Sequence, residues 1–289
     1  MLRAGLADEV RRPNGGRGAG GPSVWSVSIT LPPAPPDALG VRLPISARLS
    51  SGAPAGPAVW GGSLPALPRA LADAVAGTWG AVITVDAGGA DPLALPGFGA
   101  AFAQARADQV VRAFSRRTNL VLAGATTAVV GAGPISDALT AALTRIGSRV
   151  VRVSDDPVTR LRAHLAGIGI ADVGALPEAT RRAHYVVATG EGHEPVDPTG
   201  VEAVLIDASL GGTGIVPTDG PVLRPRVRRA GGRGATLVDA PPPFPDDLDA
   251  GDGLAWRLAD LVVALALLVA ANGGDLAAAD ALLAREVIA

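Results

Sequence analysis

The chain contains no lysine; its 25 basic residues are all arginine. Schiff-base chemistry and a catalytic lysine are thereby excluded, and the bias points to a GC-rich genome. Cysteine is absent too, which rules out disulfides, thiolate nucleophiles and cysteine metal sites. Histidine is scarce: His164, His184 and His193 are the only three, and their spacing suggests no metal cluster. Neither sign of charge is in excess. A net charge of −2 gives no global pull towards nucleic acid or an anionic membrane. The charged-then-apolar pattern of a signal peptide is missing from the N-terminus. The longest apolar run, Leu261 to Ala271, falls short of the roughly 20 residues that cross a bilayer. A buried helix and a cytoplasmic protein are expected.

What is present suits a globular chain. At 289 residues and 48% hydrophobic it can bury a sizeable core as one large domain or two smaller ones. With 38 Gly and 25 Pro it is rich in turns without being collagen-like. Residues 1–21 read as a disordered leader. Residues 22–118 form a small α/β region. There Ser23–Leu31 and Val41–Leu49 are expected to pair as strands. Leu64–Ala76 is read as helical, Ala81–Asp86 as a strand and Phe102–Arg117 as an amphipathic helix.

From residue 119 to 240 strands and helices alternate. Strands are expected at Ala128–Val130, Arg149–Val153, Ile168–Val173, His184–Thr189, Val204–Ala208 and Ala235–Asp239. Helices are expected at Ile135–Ile146, Val158–Leu165 and Pro177–Arg182. Such alternation gives a doubly wound parallel sheet of Rossmann type, covered by helices on both faces. Residues 241–289 hold an acidic loop and two helices, about 254–271 and 275–286. The first of these is apolar on nearly all faces and is expected to pack back against the first region.

The most informative stretch runs Thr126-Thr127-Ala128-Val129-Val130-Gly131-Ala132-Gly133-Pro134-Ile135-Ser136. A β-branched strand ends in one glycine, a second follows two residues on, and a helix begins. This is almost the dinucleotide fingerprint, in which Gly131 allows the tight turn, Gly133 lets backbone approach phosphate, and the helix N-terminus faces the pyrophosphate. Ser136 stands where the third glycine belongs. Gly131, Gly133, Pro134, Ile135 and Ser136 are thus candidate cofactor-binding residues.

The acid that grips the NAD ribose should end the second strand. Ser154 occupies that place and Asp155 lies one residue late. Asp155 and Asp156 are equally well placed to cap the helix that opens at Pro157. Thr189 and Gly190 close one further strand and Asp207 and Ser209 another, at the carboxyl edge where ligands bind. Ordinary turn chemistry accounts for the same residues. Arg224, Arg226, Arg228, Arg229 and Arg233 crowd one segment, either to grip phosphate or as a solvated hairpin. The acidic loop with Asp246, Asp247, Asp249 and Asp252 lacks calcium-loop spacing, and could neutralise those arginines.

Residues from about 106 to 288 resemble the adenosylhomocysteinase family. Arg117-Thr118-Asn119-Leu120-Val121-Leu122-Ala123-Gly124 looks like its RATNLLLAGK. Gly131-Ala132-Gly133 resembles its GYG and Ile146-Gly147-Ser148-Arg149-Val150-Val151 its GFGARV. Asp156-Pro157 follows the second strand as DP does there, and Ala188-Thr189-Gly190 looks like ATGN. Arg285-Glu286-Val287-Ile288 resembles the family's REVA. The resemblance implies a Rossmann domain that holds NAD, in a family that oxidises the 3′ hydroxyl of its substrate, eliminates homocysteine, adds water and reduces back.

Several of the family's groups are absent. Ser154 replaces the ribose-binding glutamate, and Glu191 replaces the asparagine after Thr-Gly. Asp207-Ala208-Ser209-Leu210-Gly211-Gly212 replaces the NxGHFD turn. The catalytic lysine has no counterpart, nor has the tail that completes a neighbour's cofactor site. The expectation is a degenerate, non-hydrolytic relative that binds NAD weakly, with a small-molecule nucleotide as partner, no nucleic acid, no membrane and homo-oligomerisation left open. No catalytic residue is assigned. An NAD-dependent oxidoreductase or hydrolase of altered substrate, using Asp207 or His193, is one alternative. A structural protein with a vestigial nucleotide site is another.

Overall fold

Leu39, Leu43 and Ser46 recur at helical spacing and all three are buried. In the computed structural model they lie on two short helices, α1 (Pro36–Arg42) and α2 (Pro44–Ser50). The structure describes residues 36–50, 56–62, 64–86, 89–118, 121–199, 201–230, 235–249 and 251–288. The expected strand Val41–Leu49 is therefore corrected to helix. Its period-two alternation was real, but Val41 is 82% exposed, and Pro44 pre-sets the first turn of α2. The expected leader and the strand Ser23–Leu31 lie outside the described residues.

β1 (Gly56–Trp60) escaped the sequence reading because its Gly-Pro start looks like a turn. It pairs in parallel with β2 (Ala81–Val85) across α3 (Arg69–Trp79). α3 starts later than Leu64, because Pro65 and Pro68 keep the residues before them out of helical geometry. It stops at Gly80, whose φ of +67° is the left-handed cap that glycine accepts. A 3-10 turn at Pro92–Ala94 leads into the 23-residue α4 (Pro96–Thr118).

The alternating part then unfolds as expected: β3 (Thr126–Val130), α5 (Pro134–Arg145), β4 (Arg149–Val153), α6 (Pro157–Leu165), β5 (Gly169–Ala171), α7 (Leu176–Arg182), β6 (Tyr185–Ala188) and β7 (Val204–Asp207). Next come β8 (Val222–Arg224), β9 (Val227–Ala230) and β10 (Ala235–Asp239). The sheet order is β5-β4-β3-β6-β7-β10-β9-β8. The first six of these are parallel, the order of a doubly wound Rossmann sheet. β9 and β8 extend it antiparallel, so the sheet over 119–240 is not wholly parallel. The arginine-rich segment supplies that hairpin. Arg228 pairs with Asp239 at 2.7 Å, not with the acidic loop, whose Asp249 lies 3.7 Å from Arg42. Arg233 falls outside the described residues.

Alternation sorts the sheet's faces. Ala128, Val130, Val186, Ala188 and Leu205 build one apolar cluster with the α7 side. Val129, Tyr185, Val187 and Ile206 face the other, where α4, α5 and the C-terminal helices lie. α8 (Gly253–Ala271) rests against α1, α2, β1, β2 and α4, and α9 (Leu276–Ile288) against α8 and α4. The larger cluster thus joins Trp60 and Phe98 to Ile206 and Leu265. α8 has the length and hydropathy of a bilayer-spanning helix, longer than the apolar run alone suggested, yet 83% of that window is buried inside the molecule. It is a core helix of this fold.

Candidate functional site

β3 ends where the strand order reverses, with β4 on one side and β6 on the other. Ligands of open α/β sheets bind at such a point, beyond the carboxyl ends of the strands. A cleft of about 400 Å³ lies there. Its walls are residues 132–135 of the glycine turn, 189–192 after β6, 209–211 and Thr213 after β7, and Asp91, Leu93 and Ala94 from the first region.

The strand, tight turn and helix start lie where the sequence placed them. Gly131 has φ of +142°, and a Cβ there would lie 2.1 Å from Thr189 Oγ1. Gly133 precedes α5 in an extended conformation. Ser136, at the third glycine's position, is buried and useful. Its hydroxyl donates to Gly133 O at 2.8 Å and accepts from Gly133 N at 2.9 Å. It also accepts from the Arg152 guanidinium, which reaches Thr140 Oγ1 at 2.7 Å and Asp137 Oδ1 at 2.9 Å. Arg152 projects from β4 beneath α5 at 2% exposure, its Nε without a partner. Burial lowers its pKa, opposed by Asp137 and Glu191.

Glu191, noted in the sequence only as the replacement for an asparagine, belongs to the site. Its carboxylate accepts from Ile135 N at 3.0 Å and from Ser136 N at 2.7 Å. An N-cap side chain normally does this, but Gly133 has none. Glu191 supplies it from the loop after β6, and its own carbonyl accepts from Ala132 N at 2.7 Å. A side chain at position 133 would put its Cβ 2.4 Å from Glu191 Oε1. Burial pushes the Glu191 carboxyl up, against the pull of the two backbone donors and of Ser136 and Thr189.

The other candidates divide. Gly133, Pro134, Ile135, Thr189 and Gly190 line the cleft, with Gly131 and Ser136 in the framework behind it. Thr189 Oγ1 donates to Val130 O at 3.1 Å. Ser154, Asp155 and Asp207 are not among the lining residues. Ser154 is buried, its hydroxyl accepting from Asp156 N at 3.1 Å. Asp155 accepts from Val173 N at 2.9 Å, while Asp156 caps α6 through Thr159 N at 2.6 Å. Asp207 accepts from Ser209 N and Oγ at 3.1 and 2.6 Å, and Ser209 Oγ in turn accepts from Thr213 and Gly214 N–H. His193 Nε2 accepts from Gly190 N at 3.0 Å.

No protein-family model matches the chain, and no curated protein matches it. It is similar to solved dehydrogenase and synthase structures. One chain of dipicolinate synthase from Bacillus halodurans matches at 14% identity over 72% of this chain, with a TM-score of 0.47. An L-alanine dehydrogenase matches at 14% over 68%, TM-score 0.42, covering 59% of its length. The transhydrogenase from Sinorhizobium meliloti matches at 16% over 76%, TM-score 0.42, covering 63% of its length. The chain spans 66% of the dipicolinate synthase polypeptide.

Arg106, from α4, was also missed. It is 1% exposed and donates to Gln109 Oε1, to Pro241 O at 2.7 Å, and to the carbonyls of Ala208 and Ser209 at 3.2 and 2.9 Å. Desolvation lowers its pKa to about 10, opposed by Asp207. It remains charged at neutral pH and ties down the loops after β7 and β10. Among the described residues no three His, Cys, Asp or Glu side chains are grouped to hold a metal. Asp252, the last of the acidic loop, caps α8 through Leu254 and Ala255 N–H.

Proposed function

We propose that the chain is an adenosylhomocysteinase-like Rossmann protein that takes an adenine dinucleotide such as NAD weakly and does not hydrolyse adenosylhomocysteine. The observation that carries this reading is the cleft at the strand-order reversal, walled by residues 132–135 of the glycine turn on one side and Thr189–Gly190 on the other. The order of motifs along the sequence supports the family. The weak binding follows from the ribose position. Ser154 has no charge, and Asp155 points a carboxylate oxygen at Val173 N. A charge-assisted bond worth about 1.5–3 kcal/mol is forgone, or roughly tenfold to a hundredfold in affinity. The missing lysine and the Asp-Ala-Ser-Leu-Gly-Gly turn at 207–212 leave the family's proton transfers without groups to carry them.

Calorimetric titration of the full chain with NAD, beside a coupled assay for homocysteine release, tests both halves. Binding weaker than micromolar and no release are expected. Submicromolar binding overturns the affinity argument. Homocysteine release that survives repeated purification overturns the loss of hydrolysis.

A further inference from the structure

A Rossmann phosphate site works by leaving N–H groups at the head of a helix free for the ligand. Here every N–H from Gly131 to Ser136 is already bonded within the chain. Gly131 donates to Val153 O and Ala132 to Glu191 O. Gly133 donates to Ser136 Oγ, and Pro134 has no N–H. The two donors that point forward from α5, Ile135 and Ser136, are held by the two oxygens of the Glu191 carboxylate. A carboxylate is the side-chain group most like a phosphate edge: an anion with paired acceptor oxygens. Behind it stands the buried Arg152 guanidinium, linked through Ser136 Oγ. Helix end and cation together favour an anion at this spot, and one side chain of the protein sits in it.

Three features distinguish this from a passive cap. Glu191 belongs to the cleft wall itself. Its neighbours Gly190 and Gly192 have φ of +73° and +66°, so the residue is set between two glycines that accept conformations other residues resist. The space Gly133 leaves by lacking a side chain is filled by Glu191, whose carboxylate lies 2.4 Å from where the Cβ would be. The glycine expected to admit a phosphate admits an internal carboxylate instead.

We infer that Glu191 is a built-in competitor for the phosphate of an incoming dinucleotide, which seats its pyrophosphate only when Glu191 leaves the Ile135 and Ser136 N–H groups. This rests on the nucleotide-binding reading above and adds, at the phosphate position, a second cause of weak affinity to the one at the ribose position.

The test uses the full-length chain and its Glu191→Ala and Glu191→Gln variants, titrated calorimetrically with NAD, inorganic pyrophosphate and adenosine. Glu191→Ala should bind NAD and pyrophosphate at least tenfold more tightly than the parent. Glu191→Gln, which keeps one acceptor oxygen and loses the charge, should fall between them. Adenosine, having no phosphate, should show no gain. Equal NAD affinity in all three proteins makes Glu191 a helix cap alone and overturns the inference while the nucleotide reading stands. A gain of the same size for adenosine overturns it too, since Glu191 then only narrows the cleft. Folded variants that bind none of the phosphate compounds overturn both readings together. If Glu191→Ala loses its cooperative melt, Glu191→Gln decides alone: tighter NAD binding supports the competitor and unchanged binding sinks it.

Discussion

Arg106 and Arg152 are long cations with 1% and 2% of their surface exposed, and neither was visible as such in the sequence. Each was one more arginine in a chain whose basic residues are all arginine. Arg106 lies between the apolar positions of an amphipathic helix and Arg152 within a short valine-rich strand, and nothing in either segment marks the arginine as buried. Both are buried because a planar guanidinium can serve several fixed acceptors at once, which an ammonium does not match. Removing Arg106 leaves the carbonyls of Ala208, Ser209 and Pro241 without their donor. Arg106→Ala should therefore cost about 3–5 kcal/mol, because three buried or part-buried carbonyls are left unsatisfied at about 1–3 kcal/mol apiece. That is a fall in melting temperature of roughly 6–20 °C for a chain of this size. Arg106→Lys should recover little of it. A thermal melt of the two variants checks this, and a loss under 1 kcal/mol in Arg106→Ala would show that water replaces the guanidinium. The glycines of the β3–α5 turn were legible because their role is local. Glu191 was not, because its role depends on Ile135 and Ser136, more than fifty positions earlier.

At the level of elements, the same distinction explains which segments could be read. β4 and β10 were located to the residue, since their short β-branched apolar runs and flanking turns are written in the segment itself. α2 reads as part of a strand in the sequence because its start is fixed from afar. Asp260, on α8, accepts from Ile45 N and Ser46 N, both at 2.9 Å, and from Ser46 Oγ at 2.6 Å. α4 is treated likewise: Asp280, on α9, accepts from Gly97 N and Phe98 N at 2.9 and 2.6 Å. Loss of an N-cap costs about 0.5–2 kcal/mol, so Asp260→Ala and Asp280→Ala should each destabilise by at least that much in denaturant unfolding. Asp260→Asn, which keeps an acceptor, should cost less. Asp260 also carries a pH signature. Burial raises its pKa above the ordinary 3.8, against the donors from Ser46 and Ile45. The folded protein therefore holds this proton to higher pH than the unfolded chain does. The group's contribution is greatest below pH 3.8 and is lost as pH rises through its folded pKa. Asp260→Asn should remove that part of the slope from a plot of stability against pH, and an identical slope in both proteins would assign it to other groups.

Across the whole molecule, the parallel, doubly wound character of the β5-β4-β3-β6-β7-β10 sheet was legible and the boundary of the core was not. One apolar cluster runs from Leu39 through Phe98 and Val187 to Leu283, so residues before 118 and after 240 share it with the sheet. Periodicity reports that a helix such as α8 is apolar all round; it does not report what surrounds it. Leu258, Leu261, Leu265 and Leu267 are each 1% exposed or less, and a buried leucine contributes about 1.5–3 kcal/mol. Deleting residues 254–289 also removes both distant caps. The truncated chain should be insoluble or lack a cooperative melt, and a soluble truncation with a sharp transition would refute this.

The distant caps also bear on how the protein is made. Ser46 and Phe98 wait for carboxylates that lie 214 and 182 residues further along. At about 5–20 residues per second of synthesis, that is roughly 9–43 s after each helix start leaves the ribosome. Through that interval the sheet can assemble strand by strand, while Trp60, Phe98 and Phe102 have no α8 to cover them. The layer that precedes the sheet in the sequence is thus among the last to close, and until α8 emerges the nascent chain carries that apolar surface uncovered.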